Sequence, residues 1–267
     1  MSLFQLAILA IVQGITEFLP ISSSGHLILL PHLLGEADQG LALDVAVHVG
    51  TLGAVMAFFR ADVARMVHGA GDVLRRRFAT PDARLLLLLA ISTVPVVVVG
   101  FILQMTGIAD AMRSVAVIGW TMLLFGIVLY WADQKGPVVR KAPEWNLRDA
   151  MIMGFWQALA LIPGTSRSGA TITASRLLGY KREDGARISM LMSIPTIIAS
   201  GTLLGLDVIG QADWQTLRDG AIGAVLAFAA AYLALSLMMR LLRSVSYTPY
   251  VIYRVVLGLF LLAIAYR

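Results

Sequence analysis

The chain has 267 residues, of which 58% are hydrophobic and only 14% charged, and its mean hydropathy is +0.81. A soluble domain is about 25% charged, so a soluble enzyme, a disordered chain and a nucleic-acid binder are excluded, and the lack of cysteine excludes disulfides, thiol nucleophiles and Cys-ligated metals. The net charge of +5 sits between apolar runs, where membrane topology accounts for it.

The first Lys or Arg is Arg60, so the basic start of a secretory signal is not expected. Apolar runs fall at 3–19, 22–34, 40–59, 85–105, 114–132, 150–162, 169–179, 188–209, 220–239 and 250–266. A crossing helix needs about 20 residues. Six runs approach that length: 40–59, 85–105, 114–132, 188–209, 220–239 and 250–266. The other four are shorter and form two adjacent pairs. A polar knot splits each pair: Pro20-Ile21-Ser22-Ser23-Ser24-Gly25 in the first, Pro163-Gly164-Thr165-Ser166-Arg167-Ser168-Gly169 in the second. Such pairs read as re-entrant hairpins whose irregular tips must be buried in protein or face water.

The two halves repeat. A shift of 144 residues places Gln13 on Gln157, Ser22 on Ser166, Ser24 on Ser168, Gly25 on Gly169 and Leu33-Leu34-Gly35 on Leu177-Leu178-Gly179. Three full spans follow each hairpin. An odd number of crossings inverts the second half relative to the first, the plan of many transporters with a midplane site. The predicted fold is therefore all-α: one membrane domain over 1–267, six transmembrane helices, two re-entrant helical hairpins and inverted pseudo-repeats 1–134 and 145–267. Loops near 60–84, 133–148, 175–187 and 240–248 hold sixteen of the 21 Lys and Arg. The opposite loops, near 35–44, 106–113 and 207–219, carry Glu36, Asp38, Asp44, Asp110, Asp207, Asp213 and Asp219 against Arg113 and Arg218. By the positive-inside rule both termini lie outside, and the hairpins enter from opposite faces with tips able to meet.

Ionisable groups at membrane depth are costly and point to function. Near the tips these are Glu17, His26 and Arg167. Gln13 and Glu17 are spaced i, i+4 and share a helix face; Ser23 and His26, at i, i+3, can also face together. Each knot opens a helix, whose unpaired N–H groups favour an anion. Arg forks onto phosphate oxygens. A phosphate or pyrophosphate on a lipid fits, with its tail left in the bilayer. Blander readings apply to several residues. The serines and glycines serve as caps and close-packing positions, Glu17 and Arg167 as a structural ion pair, and His26 as a packing residue. His32 and His48 read as structural. Arg254 snorkels or pairs with a carbonyl or carboxylate, and Arg75-Arg76-Arg77 is a cytoplasmic anchor. In the second hairpin Leu161 stands where Glu17 does and Ala170 where His26 does, so the first carries the chemistry and the second clamps.

The stretch Gln13-Gly14-Ile15-Thr16-Glu17-Phe18-Leu19-Pro20-Ile21-Ser22-Ser23-Ser24-Gly25-His26 resembles the first signature of the undecaprenyl pyrophosphate phosphatases, the bacitracin-resistance membrane enzymes. Pro163-Gly164-Thr165-Ser166-Arg167-Ser168-Gly169-Ala170-Thr171 resembles the second, and the likeness runs end to end, including Tyr253-Arg254. It implies hydrolysis of undecaprenyl pyrophosphate to the monophosphate, which recycles the lipid carrier for peptidoglycan, in the bacterial inner membrane. It implies dependence on a divalent cation, Mg²⁺ or Ca²⁺, and a catalytic group of Glu17, Ser23, His26 and Arg167. Glu17 and Gln13 are then the metal ligands. Gln13, Thr16, Ser22, Ser24, Gly25, Thr165, Ser166, Ser168, Gly169 and Thr171 hold the pyrophosphate. The family often has Glu at the first motif position; Gln13 leaves this chain one fewer anionic ligand there. The nucleophile stays open between Ser23, His26 and water. The partners expected are a polyprenyl pyrophosphate and the bilayer, without nucleic acid; a homodimer is left open. The rival reading is a lipid-phosphate transporter or flippase on the same fold.

Overall fold

In the computed structural model, residues 2–34, 40–208 and 213–267 are described, without the side chains of 31–34, 110 and 204–208. Twelve α-helices occur among them: α1 (Leu3–Phe18), α2 (Ser23–Leu34), α3 (Leu41–Phe58), α4 (Arg60–Leu74), α5 (Pro81–Thr106), α6 (Ile108–Ala111), α7 (Val115–Lys135), α8 (Leu147–Leu159), α9 (Arg167–Leu177), α10 (Arg182–Val208), α11 (Trp214–Leu241) and α12 (Thr248–Ala265). The described residues form no strand; Arg140 and Tyr180 make one isolated bridge. Six helices are long and apolar enough to cross a membrane: α3, α5, α7, α10, α11 and α12. These are the six expected spans. Their outward faces are apolar, with Phe101, Val225, Leu233 and Leu259 more than half exposed. Gln13, Asp133, Arg176 and Arg254 lie inside instead, as expected when the surrounding solvent is hydrocarbon.

Local chemistry sets the helix ends. Thr80 caps α5 through the Ala83 amide with Pro81 in the first turn, Ser114 caps α7, Asn146 caps α8 and Asp213 caps α11. The segment 60–84, expected as a loop, contains α4. Its first residue follows α3 after a single residue, Phe59, and Asp62 and Gly69 turn inward. A Cβ on Gly69 would come within 2.3 Å of the Asp82 carbonyl oxygen, so α4 lies directly against the start of α5. The polar composition of α4 hid this amphipathic helix from a hydropathy reading.

The halves interlock. The short α1 packs on α11 and the equivalent α8 packs on α5; α3 also packs on α11, α10 on α5, and α7 on α12. Each short helix thus leans on a long helix of the other half. Small residues permit these crossings. A Cβ on Gly50 would strike the Ala224 carbonyl of α11 at 2.1 Å, and one on Gly258 would meet the Gly119 carbonyl of α7 at 2.9 Å. The repeat places α1 over α8 and α2 over α9 in length and order; of its Leu-Leu-Gly match, Gly35 lies outside the described residues.

The basic ends of the helices are tied by buried charges. Asp133 of α7 accepts from Arg176 at 3.0 Å and from Arg182 at 2.8 Å, and its other oxygen takes the Tyr247 amide at 3.1 Å. Arg176 is fully buried and also donates to the carbonyls of Pro137, Gly136 and Tyr180. Asp149 binds Arg140 at 2.5 Å and the Tyr180 hydroxyl at 2.6 Å. Burial, with the Asp149 carboxylate beside it, pushes the Tyr180 phenol far up, so it remains a donor. Removing Asp133 strands two guanidinium groups. Asp133→Ala is expected to cost about 3–5 kcal/mol, read as a large fall in melting temperature in detergent; an unchanged melting temperature contradicts this role.

Candidate active site

The two polar knots meet. Ser22 and Ser166, 144 residues apart, both adopt left-handed backbone, with φ of 73° and 72°. Arg76 is the one other non-glycine residue with positive φ among the described residues. Such strain costs about 1–3 kcal/mol per residue and tends to gather at functional sites. Each serine then caps the helix it precedes. Ser22 Oγ accepts from the Gly25 amide at 3.3 Å and lies 3.3 Å from Ser24 Oγ; Ser166 Oγ accepts from the Gly169 amide at 3.1 Å and lies 3.1 Å from Ser168 Oγ. The two knots related by the 144-residue offset thus share backbone conformation and capping. A Cβ on Gly25 would sit 3.6 Å from the Gly164 Cα, so the tips touch.

Arg254 of α12 joins them. It is fully buried and faces only carbonyls: Pro20 at 3.2 Å in the first knot, Gly164 at 3.2 Å and Thr165 at 2.9 Å in the second, and Thr121 and Met122 of α7 at 3.3 and 3.2 Å. Pro20 and Gly164 are equivalent positions of the two halves. A guanidinium has five N–H donors and no acceptor, which suits a junction where broken helices leave carbonyls unpaired. Thr121 adds a bond at 2.6 Å to the Pro163 carbonyl, and Ser168 donates to the Leu19 carbonyl at 2.9 Å across the tips.

Glu17 is the hub on the open side. Arg167 donates to its Oε1 at 2.8 Å, while Oε2 accepts from Gln13 at 3.0 Å and from Ser23 at 2.6 Å. His48 of α3 brings Nε2 to 3.7 Å from the same oxygen, and its Nδ1 lies 2.7 Å from the Asp44 carbonyl. His26 stands apart from Ser23. Its Nδ1 lies 2.6 Å from the Ser22 carbonyl, which only accepts, so Nδ1 carries the proton. In the neutral ring the Nε2 lone pair then accepts from the Tyr253 hydroxyl at 2.6 Å, and the two rings stack at 5.7 Å. Ser24 and Tyr253 are exposed, whereas Glu17 is 7% exposed.

Three polar atoms here are buried without a partner: Arg167 Nη1, Gln13 Oε1 and Thr165 Oγ1. An unpaired buried donor or acceptor costs about 1–3 kcal/mol. A vacant guanidinium N–H on an arginine that shares its carboxylate with a serine hydroxyl calls for an anionic oxygen. The helix starts at Ser23 and Arg167 add their dipoles.

Of the residues expected to work together, Gln13, Glu17, Ser23 and Arg167 do form one bonded group, with His26 on the same tip. Ser22 and Ser166 serve as caps, with the amides of Gly25 and Gly169 as their partners. Thr16, Ser168 and Thr171 have partners within the protein. Thr16 bonds the Val12 carbonyl at 2.7 Å, Ser168 holds Leu19, and Thr171 bonds the Arg167 carbonyl at 2.9 Å and Ser189 at 2.6 Å. Their hydroxyls are spent on packing. His48, expected to be structural, approaches Glu17; nothing in its apolar span signals this, because the packing of α3 beside α1 creates it. The side chain of His32 lies outside the described set. Arg254 was expected to snorkel or to pair with a carbonyl or carboxylate, and carbonyls are its partners; Tyr253 was marked only by the C-terminal likeness.

No cluster of three or more His, Cys, Asp or Glu fit for a metal occurs among the described residues. The donor set nevertheless fits a hard cation that keeps other oxygen ligands. Glu17 Oε1 is engaged by one donor only, and Gln13 Oε1 beside it by none. Two protein oxygens, with the rest from water and phosphate, is how Mg²⁺ is usually held.

Replacing Arg254 by Met leaves carbonyls of both knots unpaired at once. Amide exchange is expected to quicken at 21–25 and 164–168 together while α3 and α11 keep their protection; a change confined to one knot contradicts the clamp.

The comparisons with known proteins agree with this geometry. Residues 6–260 match the family described as Bacitracin resistance protein BacA. A protein of Dinoroseobacter shibae named undecaprenyl-diphosphatase is 70% identical over the full length of both chains. One of the same name from Jannaschia sp. is 65% identical over the full length of both, and one from Chromohalobacter salexigens is 48% identical over 95% of this chain and 96% of its own. Two signature knots, a buried Glu–Arg pair between them and full-length similarity together place the chain in the bacitracin resistance protein family.

Proposed function

We propose that the chain hydrolyses undecaprenyl pyrophosphate to undecaprenyl phosphate and inorganic phosphate, and so recycles the lipid carrier of cell-wall synthesis and confers bacitracin resistance. The observation that carries this reading is the Glu17 carboxylate, which binds Arg167 through one oxygen and Ser23 through the other while Arg167 Nη1 stays unpaired. A terminal phosphoryl group between Ser23 Oγ and Arg167 Nη1 meets a nucleophile on one side and fixed positive charge on the other.

Glu17 fixes both partners. Its Oε1 orients the guanidinium and its Oε2 accepts the Ser23 proton as the serine oxygen bonds to the terminal phosphorus. The bond from that phosphorus to the bridging oxygen breaks, and undecaprenyl phosphate leaves with the electron pair. Water then attacks the phosphorus of the serine phosphate, with His26 Nε2 taking its proton once Tyr253 has turned aside; Tyr253 holds that lone pair until then. The bond from phosphorus to Ser23 Oγ breaks, inorganic phosphate leaves, and Glu17 returns its proton to the serine oxygen. Arg167 spreads the charge that develops on the equatorial oxygens. The competing route has His26 activate water directly, with Ser23 as a phosphate ligand. Gln13 and Glu17 are the oxygens that would hold Mg²⁺ or Ca²⁺. The ion neutralises pyrophosphate charge when bound. A transporter would need only to bind the headgroup, and the one-sided set of Glu17 and His26 favours chemistry.

The six apolar spans suit a multi-pass protein of the inner membrane. With the sixteen Lys and Arg of one end toward the cytoplasm, both termini and the mouth of the site face outward, and α1–α2 and α8–α9 are the re-entrant hairpins. The lipid tail stays in the bilayer.

The direct assay is phosphate release from undecaprenyl pyrophosphate by purified protein in detergent, with no gradient. Arg167→Ala is expected to lower the rate by at least about 10²–10³-fold, Glu17→Ala to abolish it and chelator to suppress it. Near wild-type rates in either variant sink this site. Trapping of a phosphoenzyme separates the two routes: labelled phosphate on the wild type, none on Ser23→Ala. A Ser23→Ala protein that keeps most of its rate rules out the serine route.

A further inference from the structure

The basic end of the bundle holds a second cavity, of about 350 Å³, walled by α4, the starts of α5 and α10, and the segment around Trp145. None of its residues belongs to the site above. One side is cationic. Asp62 is buried and takes Arg187 in a two-pronged pair at 2.5 and 3.0 Å, with Arg65 at 3.5 Å. Arg65 also bonds Asp82 at 2.8 Å. Arg84 lines the same cavity, is exposed, and has no carboxylate within ion-pair distance among the described residues. The lining itself holds three guanidinium groups, Arg65, Arg84 and Arg187, and one carboxylate, Asp62; Asp82 binds Arg65 and Asp184 accepts from the Ala142 amide.

A second, independent feature points to a ligand. Trp145 walls the cavity, is 4% exposed, and its Nε1 is buried with no hydrogen-bond partner. An indole N–H only donates, so the group that completes it is an acceptor. The floor is apolar: Leu88 and Leu191 lie two turns into the spanning helices α5 and α10. An acceptor with negative charge above and hydrocarbon below describes a phosphodiester headgroup with its acyl chain. Basic pockets between membrane helices on the cytoplasmic side have this chemistry, and Trp is favoured at that depth.

We propose that this cavity binds an anionic phospholipid, with the phosphodiester on Arg84 and Trp145 Nε1 and an acyl chain along Leu88 and Leu191. Free phosphate shares the headgroup chemistry but leaves the apolar floor open.

The test uses full-length protein stripped of lipid in detergent, with lipid binding counted by native mass spectrometry. Phosphatidylglycerol, phosphatidylcholine and inorganic phosphate are titrated separately. Phosphatidylglycerol is expected to bind the wild type in preference to the other two. Arg84→Gln, which alters an exposed unpaired side chain, is expected to weaken it about tenfold, and Trp145→Phe severalfold, while phosphate release without lipid is unchanged in Arg84→Gln. Equal phosphatidylglycerol binding by wild type and Arg84→Gln overturns the proposal. So does equal retention of phosphatidylcholine, or binding of inorganic phosphate with no preference for the lipid.

Discussion

A helix broken within an apolar surrounding frees carbonyls that no solvent can satisfy, and this molecule breaks two. Arg254 answers both. One buried guanidinium binds Pro20 at the first break and Gly164 and Thr165 at the second, and reaches two carbonyls of α7 besides. Burying a cation is costly unless its protons are matched; here carbonyls alone match them. Arg254 therefore holds the knots against each other through their backbone carbonyls, and side chains on their outward side are released for chemistry.

That division accounts for what differs between the two knots. The halves share strained serines, serine caps and helix order. What differs is carried at equivalent positions: Glu17 against Leu161, His26 against Ala170. The first half supplies a carboxylate and an imidazole, the second a guanidinium. The pair of Glu17 and Arg167 spans the join, so neither half contains a complete site. The pair also explains why Arg167 is only half used: one nitrogen is spent on positioning and the other is left for an incoming oxygen.

Much of this was readable from residue order. Hydropathy located the six spans because lipid imposes a length. The offset of 144 located the breaks, since helix ends need capping residues and both knots carry them at matching positions. The pairing of Glu17 with Arg167 was open to a sequence reading because each lies at one of the two knots. Other features depended on packing that no local pattern encodes. His48 lies on a mostly apolar span and reaches Glu17 only because α3 packs beside α1. The i, i+3 spacing of Ser23 and His26 suggested a bonded pair, yet Glu17 takes the serine and Tyr253, over two hundred residues away, takes the imidazole. Thr16, Ser168 and Thr171 looked like phosphate ligands by type, but each hydroxyl found a closer acceptor or partner in its own surroundings. The helix α4 was hidden by its charge.

The most direct measurement is a structure with an uncleavable substrate analogue, a polyprenyl methylenebisphosphonate, together with Mg²⁺. The account predicts the terminal phosphonate between Ser23 Oγ and Arg167 Nη1, with the Glu17–Arg167 bridge intact. A phosphonate seated away from the two knots, with Arg167 Nη1 still unpaired, would contradict it.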